Sequence, residues 1–170
     1  MNSPVKPDDV LHDLYCGTGS IGIFCADACR RVIGFELEAG SVRDAAENAK
    51  RNGISNAEFH LLDMKNFQTM WGGPPGLPGV DEAGCTTERP DVVITDPPRA
   101  GMHEKAVETL RNLAPRKIVY VSCNPASLAR DAQMLCAGDT YRIARVQPVD
   151  LFPHTLHVES VATLERVTSG

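Results

Sequence analysis

The chain predicts an α/β fold: a mostly parallel sheet with an antiparallel C-terminal edge and helices on both faces. Three observations carry this. Strand-like and helix-like segments alternate along the sequence, as they do in a parallel sheet covered by helices. A glycine-containing turn, Cys16-Gly17-Thr18-Gly19, joins the first strand to the first helix. The last two strand-like segments have no helix between them, so they pair antiparallel or meet in a tight turn.

The elements follow in order. Val10 to Tyr15 reads as the first strand, Ser20 to Cys29 as a helix, and Arg31 to Phe35 as the second strand. Ser41 to Asn52 reads as a helix with Val42, Ala45, Ala46 and Ala49 on one face, Glu47 and Arg51 at i,i+4 spacing, and Gly53 as a left-handed stop. Ala57 to Leu62 is the third strand and Asp91 to Thr95 the fourth. A helix follows over Glu104 to Leu113, with Ala106, Leu110 and Leu113 inward. The fifth strand starts at Lys117 and ends at Val121, and a helix from Pro125 buries Leu128, Ala132 and Leu135. Tyr141 to Val149 and Leu156 to Glu165 are the final strands. The Gly/Pro-rich stretch 72–90 reads as a flexible surface insertion in a single domain covering 1–170.

A chain of 170 residues with 42% hydrophobic content is long and apolar enough for one real core. No apolar run approaches the length of a membrane span, and the N-terminus has no signal-peptide core. None of the six cysteines forms a Cys-x-x-Cys pair, and no Cys/His spacing suits zinc, so no metal is expected. Cys25 and Cys29, one helical turn apart, read as small core residues. Free thiols without an Asn-x-Ser/Thr sequon suit an intracellular setting, cytoplasmic or organellar/nuclear. The net charge of −5 gives no support to a nucleic-acid partner.

Candidate ligand residues gather at strand ends. Gly17 and Gly19 let the backbone turn sharply and approach a ligand. Glu36 ends the second strand, where a carboxylate can accept from both hydroxyls of a ribose. Asp63 and Asp96 end the third and fourth. Doubly wound sheets bind ligands at these carboxyl ends, and the set fits an adenosine-bearing cofactor. Gly17-x-Gly19-x-x-Gly22 also matches the dinucleotide fingerprint formally. Asp13 argues against a pyrophosphate there and for a cationic ligand such as the sulfonium and amino group of S-adenosylmethionine. Cys123 stands between the fifth strand and a helix opened by Asn124-Pro125, where the helix dipole favours a thiolate and so a nucleophile.

Four motifs occur in order: Asp13-Leu14-Tyr15-Cys16-Gly17-Thr18-Gly19, Asp96-Pro97-Pro98-Arg99, Ser122-Cys123-Asn124-Pro125, and Asp150 through Glu159. Together they resemble the catalytic domain of the RNA uracil-5-methyltransferases, which act on tRNA or ribosomal RNA. The resemblance runs from Val10 to Arg166 and omits the loop at 72–90. It implies a Rossmann-like fold that uses S-adenosylmethionine, with Cys123 as nucleophile and Glu159 as general base. It implies cofactor contacts at Tyr15, Glu36, Asp63 and Asp96, and places Arg99 near the target uridine. Family members usually carry an N-terminal RNA-binding domain and a further segment that supplies a cofactor-binding glutamine. Without that part, weak RNA binding is expected of this domain alone.

The chemistry explains the residue types. Carbon 5 of uracil is too poor a nucleophile to attack a methyl sulfonium unaided. Thiolate addition at carbon 6 makes an enolate-like adduct and activates carbon 5. A base must then remove the carbon 5 proton so that the cysteine can leave. Glu159 can serve only if the last strand runs antiparallel, which puts its start at the rim that holds Cys123. His154 beside this stretch reads as a structural hydrogen-bonding residue or a proton shuttle. Two other readings stay open: a truncated module that binds S-adenosylmethionine without catalysis, and a small-molecule methyltransferase of the same fold.

Overall fold

The computed structural model describes residues 5–71, 79–80, 86–150, 154 and 158–167. In chain order the strands and helices are β1 (Val10–Leu14), α1 (Ser20–Cys25), β2 (Arg31–Glu36), α2 (Ala39–Arg51), β3 (Ala57–Leu61) and the short α3 (Phe67–Met70). Next come the two-residue strands β4 (Gly79–Val80) and β5 (Thr86–Thr87), then β6 (Val92–Thr95), α4 (Glu104–Leu113), β7 (Lys117–Ser122) and α5 (Pro125–Cys136). The chain closes on β8 (Tyr141–Val149) and β9 (Glu159–Arg166).

Seven strands form one sheet in the order β3-β2-β1-β6-β7-β9-β8. The first five are parallel. β9 pairs antiparallel with β7 on one side and with β8 on the other, so the mixed edge expected from the sequence is present. The strand order reverses direction between β1 and β6. Ligand crevices of such sheets open there, at the carboxyl ends of the strands.

Side-chain alternation along β1 and β2 divides the core between two layers. Val10, Leu14, Ile33 and Phe35 join Phe67, Leu110, Tyr120 and Leu135 on the face covered by α3, α4 and α5. Leu11 and Val32 join Val92, Ile94, Ala26 and Cys29 on the face covered by α1. Burying side chains of this size contributes about 1.5–3 kcal/mol each. β1 is buried along its whole length, so both faces of the sheet are covered there.

Element boundaries differ from the sequence reading in a few places. Tyr15 is not the last residue of β1; it stands in a left-handed turn at φ 60. The first helix ends at Cys25, and Ala26–Ala28 tightens into a 3₁₀ turn. α2 starts at Ala39 rather than Ser41 and ends at Arg51, one residue before the expected Asn52, with Gly53 left-handed at φ 70 as expected and Arg51 Nε donating to Glu47 Oε1 at 3.0 Å. β9 is described from Glu159. The expected strand start at Leu156 lies outside the described residues, as does His157.

The stretch read as a surface insertion is partly tied down. Gly79 and Val80 pair with Thr87 and Thr86, and Thr87 is buried. Glu88 takes ion pairs from Arg30 at 2.6 Å and Arg31 at 2.8 Å, and its carbonyl accepts from His12 Nε2 at 2.8 Å. Polar composition hides such anchoring, because each partner lies far away in sequence. Residues 72–78 and 81–85 lie outside the described residues.

Candidate active site

The turn after β1 is built from backbone that only certain residues adopt readily. Gly17 and Gly19 stand at φ 54 and φ 80. Tyr15 shares the left-handed region, which costs a non-glycine residue roughly 1–2 kcal/mol. Such strain persists where the surrounding structure fixes it, often at a site. Here it turns the chain so that Tyr15 lines a cavity. Burial pushes the Tyr15 phenol up to about 12, so it stays protonated.

That cavity measures about 430 Å³ and opens at the carboxyl ends of the parallel strands. Its wall includes Tyr15, Glu36, Asp63, Asp96, Arg99 and Cys123. Six residues named from the sequence, drawn from five strand ends and their loops, thus meet at one hollow. Leu37, Met64, Pro97 and Pro98 complete the wall. Leu37 and Met64 were not named from the sequence. Each directly follows an acidic site residue, and that adjacency was the available signal.

Glu36 is fixed by the backbone around it. Its Oε2 accepts from Gly17 N at 3.0 Å, and its Oε1 accepts from Leu37 N at 2.7 Å and Glu38 N at 3.0 Å. Gly17 itself does not line the cavity; it acts through this bond. Asp63 caps the next turn, its Oδ1 accepting from Lys65 N at 2.9 Å. Desolvation raises the Asp96 carboxyl above the usual carboxylate range.

Asp13 requires a correction. The sequence suggested that its carboxylate faces a cationic ligand. Instead it is buried on the α1 side of β1 and is not part of the cavity wall. Its Oδ2 accepts from Gly22 N at 2.9 Å and ties α1 to the sheet. Burial, and then the nearby charges of Asp96 and Glu36, push its carboxyl up to about 7.

The residues flanking Cys123 are held by a compact set of hydrogen bonds. Ser122 Oγ accepts from Asn124 N at 3.0 Å and donates to Asn124 O at 2.9 Å. Asn124 caps α5 as expected, its Oδ1 accepting from Ala126 N at 3.1 Å. Its Nδ2 also donates to Arg99 O at 3.0 Å, which joins the Asp96–Arg99 loop to the cysteine turn. The sequence did not reveal that second bond. Burial pushes Cys16 up to about 12 and Cys29 up to about 11, so these thiols stay protonated at neutral pH. Cys25 and Cys136 move the same way for the same reason.

Glu159 opens β9. Ser122 pairs with Ser160 across β7 and β9, so Cys123 and Glu159 stand one step beyond the last pair, on the same rim. The side chain of Glu159 is half-buried and is not part of the cavity wall. His154 is exposed at φ 76. Among the described residues no His/Cys/Asp/Glu group could hold a metal ion, and no helix is long and apolar enough to cross a membrane.

The strand order and the cavity at its switch point define a Rossmann-like methyltransferase fold. Residues 4–167 match the family model described as tRNA (uracil-5-)-methyltransferase. An uncharacterized RNA methyltransferase of Chlorobaculum tepidum is 46% identical over 162 residues, covering 95% of this chain and 31% of that protein. Another, from Porphyromonas gingivalis, is 48% identical over 161 residues, covering 95% of this chain and 32% of that one. The tRNA (uracil-54, C5)-methyltransferase of Pyrococcus abyssi, solved with S-adenosyl-L-homocysteine, is similar with a TM-score of 0.73 and 36% identity, over 94% of this chain and 35% of that one. An rRNA methylase from Streptococcus thermophilus shares the fold alone, with a TM-score of 0.70 and 12% identity, over 96% of this chain and 90% of that one. The chain belongs to the tRNA (uracil-5-)-methyltransferase family. It spans about a third of the length of the curated relatives named here.

Proposed function

We propose that this chain is the catalytic part of an S-adenosylmethionine-dependent enzyme that methylates carbon 5 of a uridine in RNA through a covalent cysteine adduct. The single observation that carries the reading is that Cys123, which lines a cavity with Glu36, Asp63 and Asp96 in its wall, shares one rim of the sheet with Glu159 at the start of β9.

The residues fit the cofactor. A hollow of about 430 Å³ lies within the size range of small-molecule sites. Glu36 suits the ribose hydroxyls. Leu37 and Met64 offer apolar surface to the adenine, and Tyr15, Asp63 and Asp96 supply polar contacts to the rest. When bound, S-adenosylmethionine supplies an electrophilic methyl group on a sulfonium.

The chain's own residues do the remainder. The Cys123 thiolate adds to carbon 6 of the uracil, forming a carbon–sulfur bond and moving an electron pair toward carbon 5. Arg99, on the same wall, holds the base. After carbon 5 has gained the methyl group, Glu159 takes its proton. That electron pair re-forms the ring double bond and expels the Cys123 thiolate. The base must leave its stack to reach the cavity, so the target is a splayed or flipped nucleotide.

The test is methyl transfer to RNA from a labelled methyl donor, followed by digestion to nucleosides. Label in 5-methyluridine is the expected result. Label in a ring-nitrogen, exocyclic-amine or ribose methyl group, or in small molecules only, contradicts the proposal.

A further inference from the structure

Helix α5 grips the Arg99–Met102 stretch at two points, two helical turns apart. At its head, Asn124 donates to the Arg99 carbonyl at 3.0 Å. Further along, the fully buried Asp131 accepts from Met102 N at 2.7 Å and from the Tyr120 hydroxyl at 2.6 Å. Arg130 donates to the Met102 carbonyl at 3.2 Å and to Asp131 Oδ1 at 2.6 Å. Between the two points Gly101 lies directly against side chains of α5. A Cβ on Gly101, which stands at φ 84, would lie 2.5 Å from Arg130 Nη2 and 2.7 Å from Asp131 Oδ2.

A buried carboxylate is costly to desolvate, and an apolar residue would fill the same space without that cost. What Asp131 adds is a directed hold on a loop. That loop carries Asp96 and Arg99, and the helix that grips it starts just after Cys123. We infer that Asn124 and Asp131 are positioning residues, which clamp the Asp96–Met102 loop to α5 and so fix Arg99 relative to the Cys123 sulfur. This rests on the uridine chemistry proposed above. Neither residue lines the cavity among the described residues, so both act through others.

Asn124→Ser separates the clamp from the fold. Serine is as good an N-cap as asparagine, but its short hydroxyl lacks the amide donor. Asp131→Asn is the companion variant. In the full chain, three quantities are followed: amide exchange over residues 99–102, alkylation of Cys123 by iodoacetamide, and the rate of adduct formation with 5-fluorouracil-substituted RNA. Both variants are expected to raise exchange over 99–102 roughly tenfold, as loss of a local hold does. Both should slow adduct formation by roughly tenfold to a hundredfold at saturating RNA, the scale of a small misplacement. Alkylation and S-adenosylhomocysteine affinity should stay within about twofold, since chemistry and cofactor binding are separable.

Unchanged exchange in Asn124→Ser overturns the inference whatever the adduct does. Raised exchange with an unchanged adduct rate overturns it too. If the unaltered chain forms no adduct at all, the uridine reading falls, and exchange over 99–102 alone then decides whether the clamp exists.

Discussion

At the scale of single residues, position divides one chemical type into different roles. Cys16 and Cys29 are buried thiols with raised pKa values, whereas Cys123 lines the cavity. Among the carboxylates, Glu36 is fixed by three backbone N–H groups beside the cavity, while Asp13 is sealed behind β1. Glu159→Gln tests the base. It should still form the adduct and accept the methyl group, but lose the step that expels the cysteine. Turnover is expected to fall on the order of 10²–10⁴-fold, with a methylated protein–RNA adduct accumulating on natural RNA. Normal turnover without an adduct would remove Glu159 from the mechanism. Asp13 gives a pH test. Its carboxyl lies at about 7 in the fold against a reference of 3.8, so the folded chain keeps a proton that the unfolded chain has lost. That costs nothing below pH 3.8, grows as pH rises toward 7 and is then constant. His12, lowered from 6.5 to about 3, acts oppositely, destabilising as pH falls through that window, but does so in both proteins. The melting-temperature gain of Asp13→Asn over the parent should therefore be larger at pH 8 than at pH 4; an equal difference at both would place Asp13 in a less desolvated setting.

At the scale of elements, the sequence disclosed what local chemistry controls. α4 begins and ends as read, because its apolar spacing makes a buried stripe, and β8 does too, although it is exposed along most of its length. The mixed edge followed from two strands without a crossover helix. Contacts between distant segments were not legible: the bond from Asn124 to Arg99, the Asp131 hold on Met102, and the anchoring of Glu88. No pattern in the intervening residues reports them. Asp13 was misplaced because a carboxylate near a ligand turn looks the same in sequence whether it faces the cavity or the helix behind. The Glu88 anchor carries its own test. The guanidiniums of Arg30 and Arg31 hold its carboxyl down to about 2, yet the partners are largely exposed. Glu88→Ala should cost only about 1 kcal/mol by urea unfolding at low salt, and less at high salt. A loss above about 3 kcal/mol, insensitive to salt, would mean a buried ion pair instead.

At the scale of the whole molecule, the chain brings a cavity, a cysteine and several carboxylates to one end of the sheet but carries a net charge of −5. Few phosphates can be neutralised by such a surface. RNA binding by this chain alone should therefore be weak, with a salt dependence corresponding to roughly one to three counterions released. Tight binding with a steep salt slope would show a phosphate-tracking surface that the charge does not suggest. The central claim is spatial: a sulfur and a carboxylate, remote in sequence, act on one pyrimidine beside a methyl donor. Its most direct test is peptide mapping of the covalent complex formed with 5-fluorouridine RNA and S-adenosylmethionine. Attachment of the nucleotide through Cys123, lost in Cys123→Ala with S-adenosylhomocysteine binding intact, is the predicted result. Attachment at another residue, or 5-methyluridine formed at the normal rate by Cys123→Ala, would contradict it.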